Sequence, residues 1–123
     1  MVARVSILEP LVLALARRQL VAYNRADLDA FCACYHPDIV VLDHGGAVSR
    51  AGMAEFRASY QEMFAACADV RAEVIDRVLR PPHVVEHERW SRVVRATGEV
   101  RSGEVLVRYT EQDGLLRWVE FMA

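Results

Sequence analysis

The sequence predicts an α+β domain with three N-terminal helices packed on one face of a mainly antiparallel sheet. Apolar residues recur at helical spacing as far as about residue 66. After Cys67 the pattern changes to alternating β-formers, which Pro81-Pro82 and other turn signals divide into four strands. A length of 123 residues without a linker, repeat or low-complexity tract predicts one domain over residues 1–123.

Two helices are predicted first. Pro10 suits the first turn of helix one, because its missing N–H costs nothing there. The helix carries an apolar stripe of Leu8, Leu11, Val12, Leu15, Gln19, Ala22 and Tyr23. Gln19 is the polar member, interpreted either as a solvated residue at the stripe's edge or as a group aimed into a cavity. Asp27 is a suitable N-cap for helix two, whose predicted buried side is Leu28, Phe31 and Tyr35, and Pro37 ends it.

The remaining elements follow in order. Residues 39–42 form a short β-branched strand, and Gly45-Gly46 turns the chain. Ser49 is expected to cap helix three over residues 51–66. The predicted meander consists of strands at 70–79, 84–94, 103–110 and 115–122.

Composition narrows the setting. The net charge of −2 provides no field for nucleic acid. The apolar run at residues 11–16 is too short to span a membrane, so no membrane partner is predicted. Cys32, Cys34 and Cys67 fit neither a disulfide framework nor a zinc site, which favours the cytoplasm. All 15 basic residues are arginine, as is typical of a GC-rich bacterial genome.

Four segments together resemble the nuclear transport factor 2-like superfamily: residues 23–31 on the helix pair, Tyr35-His-Pro-Asp38, Gly52, and residues 105–118 in the closing strands. Ketosteroid isomerases, small polyketide cyclases and non-catalytic pocket domains share this cystatin-like, cone-shaped fold. The resemblance implies a strongly curved sheet wrapped around helix one, with a cavity open at one end. It does not name a reaction.

The resemblance also implies site positions. Asp43 matches the carboxylate base of ketosteroid isomerases. Their tyrosine falls at Gln19, and their neutral acid falls near Gly103. Two of three roles are therefore missing or displaced, so steroid isomerisation is not predicted.

Asp43 and His44 are the predicted catalytic pair. Asp43 is either a base acting on carbon acidified by a carbonyl or the cap of the glycine turn. His44 is either a proton relay or a solvent-exposed loop residue.

Aromatic and polar residues are predicted to line the ligand pocket: Gln19, Tyr23, Phe31, Phe56, Tyr60, Glu88, Trp90 and Trp118. On strand 84–94, Glu86, Glu88, Trp90 and Arg92 share one face, and Val85, His87, Arg89 and Ser91 share the other. Neither face is plainly hydrophobic, so which one faces the pocket stays open. His36, Asp38, Asp43 and His44 lack metal-ligand spacing, and neither metal nor cofactor is predicted.

The leading hypothesis is a pocket protein for a small apolar ligand bearing a carbonyl or hydroxyl, working as a cofactor-free isomerase, cyclase or lyase through Asp43. The alternative is a non-catalytic ligand-binding or dimerisation module. A homodimer through the free sheet face is also expected, with Arg89, Arg92, Arg108 and Glu120 providing polar contacts around an apolar centre.

Overall fold

A computed structural model describes residues 9–123, and it confirms the α+β class with three helices against one open sheet. Leu8, which the sequence places on the first helix stripe, lies outside the described residues. The elements are α1 Leu11–Asn24, α2 Leu28–Cys32, β1 Tyr35–Leu42, β2 Val48–Ala51, α3 Met53–Ala66, β3 Cys67–Arg80, β4 His83–Val94, β5 Val100–Gln112 and β6 Leu115–Phe121.

The sheet has six strands in the order β2-β1-β6-β5-β4-β3. The predicted meander is present as β3 to β6, all antiparallel neighbours. β1 adds to it parallel to β6, and β2 pairs antiparallel with β1. The parallel pair is possible because α3 and the meander carry the chain back to the far side of the sheet.

The start of α3 differs from the sequence prediction. Residues 48–51 form β2 rather than the first turn of a helix, because the Gly45-Gly46 turn folds them back onto β1. Ser49 is therefore not a cap, and its hydroxyl donates to the carbonyl of Val41 at 3.2 Å. Gly52 takes the N-cap position with a φ of 86°, a left-handed conformation that favours glycine.

β1 begins earlier than predicted, at Tyr35, so Tyr35 belongs to the sheet and not to α2. Pro37 is accommodated because the pairing with β6 is irregular between Tyr35 and Val40, where a missing N–H removes no ladder hydrogen bond. The predicted cap of α2 is confirmed: Asp27 accepts a hydrogen bond from the backbone N–H of Ala30 at 3.1 Å.

α1 crosses β3 to β6 and buries most of its predicted stripe against them. Leu11 is the exception: it was predicted on the stripe, but it lies in the first turn of the helix and is 45% exposed. Val12, Leu15 and Ala22 lie in the main core, and Gln19 is buried beside them at 4% exposure. Phe31 is at the centre of an aromatic cluster: its ring centroid is 4.6 Å from that of Tyr60, and its plane stacks on that of Phe56. The burial of apolar side chains between the helices and the sheet thus holds the two layers together.

The inner face of β4 carries Val84, Glu86 and Glu88, all buried. The structure thereby decides which face of β4 points toward the helices. Arg89 lies on the outer face, and Arg108 is paired there with Glu120 at 2.5 Å. Arg92 shares the inner face with Glu88 and Trp90, as the strand alternation predicts. It therefore does not lie on the outer face, where the homodimer prediction placed it. The homodimer through the outer face stays a prediction.

Candidate functional site

A cavity of about 380 Å³ lies between the inner face of the sheet and the helices. α1, α2 and α3 contribute Gln19, Tyr23, Phe31, Phe56 and Tyr60 to its wall. β4 contributes Glu88 and Trp90. Seven of the eight side chains predicted to line a pocket are thus brought together, in a volume typical of small-molecule sites.

Trp118 is the exception and does not line the cavity. Its neighbour Val119 lines the cavity and pairs with Tyr109, so the alternation of β6 turns Trp118 to the opposite face. There the guanidinium of Arg117 lies 4.6 Å from its ring centroid.

Asp43 and His44 lie in the exposed turn after β1, and neither lines the cavity. The backbone of Asp43 closes the turn: its N–H donates to Ala47 at 2.8 Å and its carbonyl accepts from Gly46 at 2.9 Å. His44 Nδ1 lies 2.8 Å from the carbonyl oxygen of Met122 and donates to it in that tautomer. The positions match a turn role, and the catalytic role of the pair stays a prediction.

A chain of hydrogen bonds connects four of the residues that line the cavity. The Tyr35 hydroxyl donates to Gln19 Oε1 at 2.9 Å. Gln19 Nε2 lies 3.4 Å from the Tyr109 oxygen, and the Tyr109 hydroxyl donates to Glu88 Oε2 at 3.1 Å. Burial raises the pKa of both tyrosines, so they remain neutral donors. Gln19 therefore aims into the cavity, as one of its two interpretations proposed.

Glu88 is the carboxyl group in this hydrogen-bond chain, and its pKa is raised to about 8. Burial is the largest cause, and the proximity of Glu86, two residues earlier on the same face, acts in the same direction. The bond from Tyr109 and the charge of Arg77 act in the opposite direction. Glu88 thus holds its proton at neutral pH and releases it near pH 8.

Glu86 lies behind Glu88 and is fully buried. Arg77 on β3 pairs with its Oε2 at 2.7 Å, as expected of residues opposite each other in the ladder. Its Oε1 has no hydrogen-bond partner among residues 9–123, which leaves an acceptor for the Glu88 proton. The two glutamates and Arg77 form one cluster of ionisable side chains, of which Glu88 lines the cavity.

Two arginines line the cavity as well. Arg50 on β2 donates from Nη1 to the Ser59 hydroxyl at 2.7 Å, and its guanidinium lies 5.3 Å from the ring centroid of Tyr60. Arg92 on β4 lies 4.8 Å from the ring centroid of Trp90. Both cations are placed over aromatic faces, which stabilises a partly buried charge.

Trp90 depends on the absence of a side chain at Gly103, its partner on β5. A Cβ at position 103 would lie 3.0 Å from Cζ2 of the Trp90 ring, closer than ordinary contact. The indole therefore occupies the space beside Gly103 and forms part of the cavity wall.

The family model for the SnoaL-like domain matches residues 16–121. The chain belongs to the SnoaL-like family. This confirms the resemblance to the nuclear transport factor 2-like superfamily. No curated protein sequence matches the chain.

Solved structures of similar fold include an uncharacterised cystatin-fold protein from Novosphingobium aromaticivorans, with 25% identity, a TM-score of 0.81 and coverage of 90% of this chain and 97% of that one. A Δ5-3-ketosteroid isomerase from a Mycobacterium species has 18% identity, a TM-score of 0.83 and coverage of 94% of each chain. A putative polyketide cyclase from Xanthomonas campestris has 20% identity, a TM-score of 0.74 and coverage of 92% and 90%. The last two likenesses establish the fold alone.

The cavity of this SnoaL-like chain is also lined by four tyrosine and arginine residues that the sequence prediction omitted: Tyr35, Arg50, Arg92 and Tyr109. A signal existed for two of them. Tyr109 shares a strand face with Val105 and Val107, and Arg92 shares a face with Glu88 and Trp90. No sequence pattern marked Arg50, because β2 was not predicted.

Three or more potential metal-ligating side chains do not converge anywhere in residues 9–123. Within the same range, no helix has the length and hydropathy needed to cross a membrane.

Glu88→Gln is expected to change how the free energy of unfolding depends on pH. The folded-state pKa of about 8 exceeds the ordinary value of 4.5, so between these values the folded protein holds a proton that the unfolded chain releases. Stability of the wild type should therefore fall as pH rises through this window. Glutamine carries no such proton, and the variant should lose this dependence, on the order of a few kcal/mol between pH 5 and 9.

Urea unfolding of both proteins at pH 5 and pH 9 measures this difference. Glu104→Gln is the matched control, because Glu104 lies on the outer face with its side chain 50% exposed. Equal pH dependence in wild type and Glu88→Gln would contradict the raised pKa.

Proposed function

We propose that the cavity binds a small, largely apolar molecule bearing a carbonyl or hydroxyl, and that Glu88 transfers protons to and from it. One observation carries this: a carboxyl group faces an aromatic cavity and titrates at about 8, near working pH. General acid–base catalysis is most effective when the pKa of the group lies near the operating pH. The reaction class is cofactor-free isomerisation, cyclisation or elimination.

The proposed step begins with the carboxylate form of Glu88. It takes a proton from carbon next to a carbonyl; the C–H electron pair forms the C=C bond of an enolate, and the carbonyl π pair moves to the oxygen. Burial raises the pKa of Tyr60 to about 12, so its hydroxyl stays protonated and is suited to donate to that oxygen. Delivery of the Glu88 proton to a different carbon of a conjugated enolate completes an isomerisation. If the Glu88 carboxyl first exchanges its proton with solvent, delivery to the original carbon completes an exchange.

Glu88 replaces Asp43 as the proposed acid–base group, because Asp43 lies outside the cavity wall. The two candidates are separated by one experiment that needs no knowledge of the natural substrate. The probe is 2-acetylnaphthalene in D₂O, whose methyl protons exchange through the enolate and are followed by proton NMR.

Wild-type protein is expected to accelerate methyl exchange, with a rate that rises as pH rises through about 8, where Glu88 becomes a carboxylate. Glu88→Gln should reduce the acceleration at least tenfold, in the range typical of losing a general base. Asp43→Asn should leave it within twofold. If Asp43→Asn abolishes exchange and Glu88→Gln does not, Asp43 is the base and the proposal is wrong.

The second candidate function is a non-catalytic ligand-binding module. It is favoured by Gln19 and Gly103, which stand where the resemblance to ketosteroid isomerases implies a tyrosine and an acid. This alternative predicts that 2-acetylnaphthalene binds, as seen by calorimetry, while its methyl exchange stays at the solvent rate.

A further inference from the structure

We propose that the ligand carries a carboxylate, which Arg50 and Arg92 bind within the cavity that Glu88 also lines. The substrate class is then a keto or hydroxy acid with an aromatic or alicyclic body. The inference deepens the proposed function and rests on it, because it concerns the same cavity.

In the described part of the chain, Arg50 and Arg92 differ from several other arginines in having no carboxylate partner. Six arginines lie within 4.0 Å of a carboxylate: Arg17, Arg57, Arg77, Arg89, Arg101 and Arg108. None of the six lines the cavity. Arg50 and Arg92 line it, and neither has such a partner within residues 9–123.

The Arg50 side chain is held in place, but not all of its N–H groups have a hydrogen-bond acceptor. Ser59 accepts from Nη1 at 2.7 Å, and the ring of Tyr60 supports the guanidinium. Its Nε atom is buried and finds no acceptor among the described residues. A buried N–H without an acceptor is unfavourable, and an oxygen of a bound carboxylate would satisfy it.

Arg92 is held differently. Its guanidinium lies over the ring of Trp90, and its charge lowers the pKa of the Tyr23 hydroxyl beside it, against the raising effect of burial. Stacking uses the flat face of a guanidinium and leaves the N–H groups at its edge for a planar anion. Tyr23 adds a neutral hydroxyl donor at the same end of the cavity.

The charge balance of the cavity favours an anion. Among the described residues that line it, Glu88 alone carries a carboxyl. That group is protonated at neutral pH, so the two arginine charges are not compensated within the wall. Uncompensated charge in a partly dehydrated site is stabilised when an opposite charge binds.

The spacing of these groups sets the length of the molecule. Glu88 and Arg92 are four residues apart on the same face of β4, about 13 Å between their Cα atoms. Tyr23, Tyr60 and Trp90 provide aromatic wall for the body of the ligand. A two-ring molecule with oxygen groups at both ends fits this arrangement.

The test compares 6-acetyl-2-naphthoate with its neutral isostere 6-acetyl-2-naphthamide, measured by isothermal titration calorimetry. Wild-type protein should bind the carboxylate at least tenfold more tightly than the amide, as expected for a charge-assisted hydrogen bond to arginine. Arg50→Gln and Arg92→Gln should each weaken carboxylate binding about tenfold. Both should bind the amide within twofold of wild type, which shows that the variant cavity is folded.

Arg89→Gln is the matched control, since Arg89 lies on the same strand but on the outer face. It should change neither affinity. The inference is overturned if the carboxylate fails to bind, if it binds no more tightly than the amide, or if its preference persists in an Arg50→Gln/Arg92→Gln double variant.

The proposed function is tested by a different measurement, the rate of acetyl exchange. If the carboxylate is preferred through the arginines but acetyl exchange is unchanged in Glu88→Gln, the inference stands and the acid–base role of Glu88 is wrong. If the amide binds and exchanges through Glu88 while the carboxylate gains nothing, the acid–base role stands and the inference is wrong.

Discussion

Phe31→Ala is expected to lower the free energy of unfolding by about 3–5 kcal/mol. The Phe31 side chain is 1% exposed, and five other aromatic rings have centroids within 6.2 Å of its own. Truncation removes these contacts and leaves a void that joins the cavity, which Phe31 lines. Chemical denaturation at neutral pH measures the loss.

Phe31→Leu is the control, because leucine keeps an apolar side chain and most of the volume. It should cost roughly half as much or less. If the alanine variant loses under about 1 kcal/mol, the helices are held to the sheet by something other than this aromatic cluster.

Arg77→Gln should destabilise the protein by about 3–5 kcal/mol at neutral pH, because it leaves the fully buried Glu86 carboxylate without its partner. Because the charge of Arg77 lowers the pKa of Glu88, its removal should also move the Glu88 titration upward.

Two variants make the Arg77 result specific. Arg89→Gln breaks an exposed pair with Glu73 and should cost less than about 1 kcal/mol. The Arg77→Gln/Glu86→Gln double variant removes both charges and should recover most of the loss. A single variant with no larger effect than Arg89→Gln would contradict a stabilising role for the Arg77–Glu86 pair.

Local patterns were sufficient for most of the fold. The stripe of α1, the Asp27 cap and the alternation after Cys67 each correspond to an element of the structure. The β2 strand was missed because four residues form a strand only by pairing with β1, which local propensity does not report. The parallel pairing of β1 with β6 is likewise a contact between distant parts of the chain.

The site was predictable where it depends on alternation. Glu88 and Trp90 face the cavity because they share a strand face, and the helix residues follow the stripe. The location of Asp43 depends on a register shift between Val41 and Leu42, and a shift of this kind changes which way the following side chains point. Neither the shift nor the raised pKa of Glu88 can be calculated from sequence spacing.

The contact between Trp90 and Gly103 restricts the order in which this chain can change by mutation. Position 103 is where the isomerase resemblance implies an acid, yet any side chain there meets the indole at its first carbon. Unless the indole shifts by a few tenths of an ångström, a substitution that shrinks residue 90 must come before an aspartate at 103 can be accommodated. A mutational path that removes the tryptophan also removes the aromatic support of Arg92.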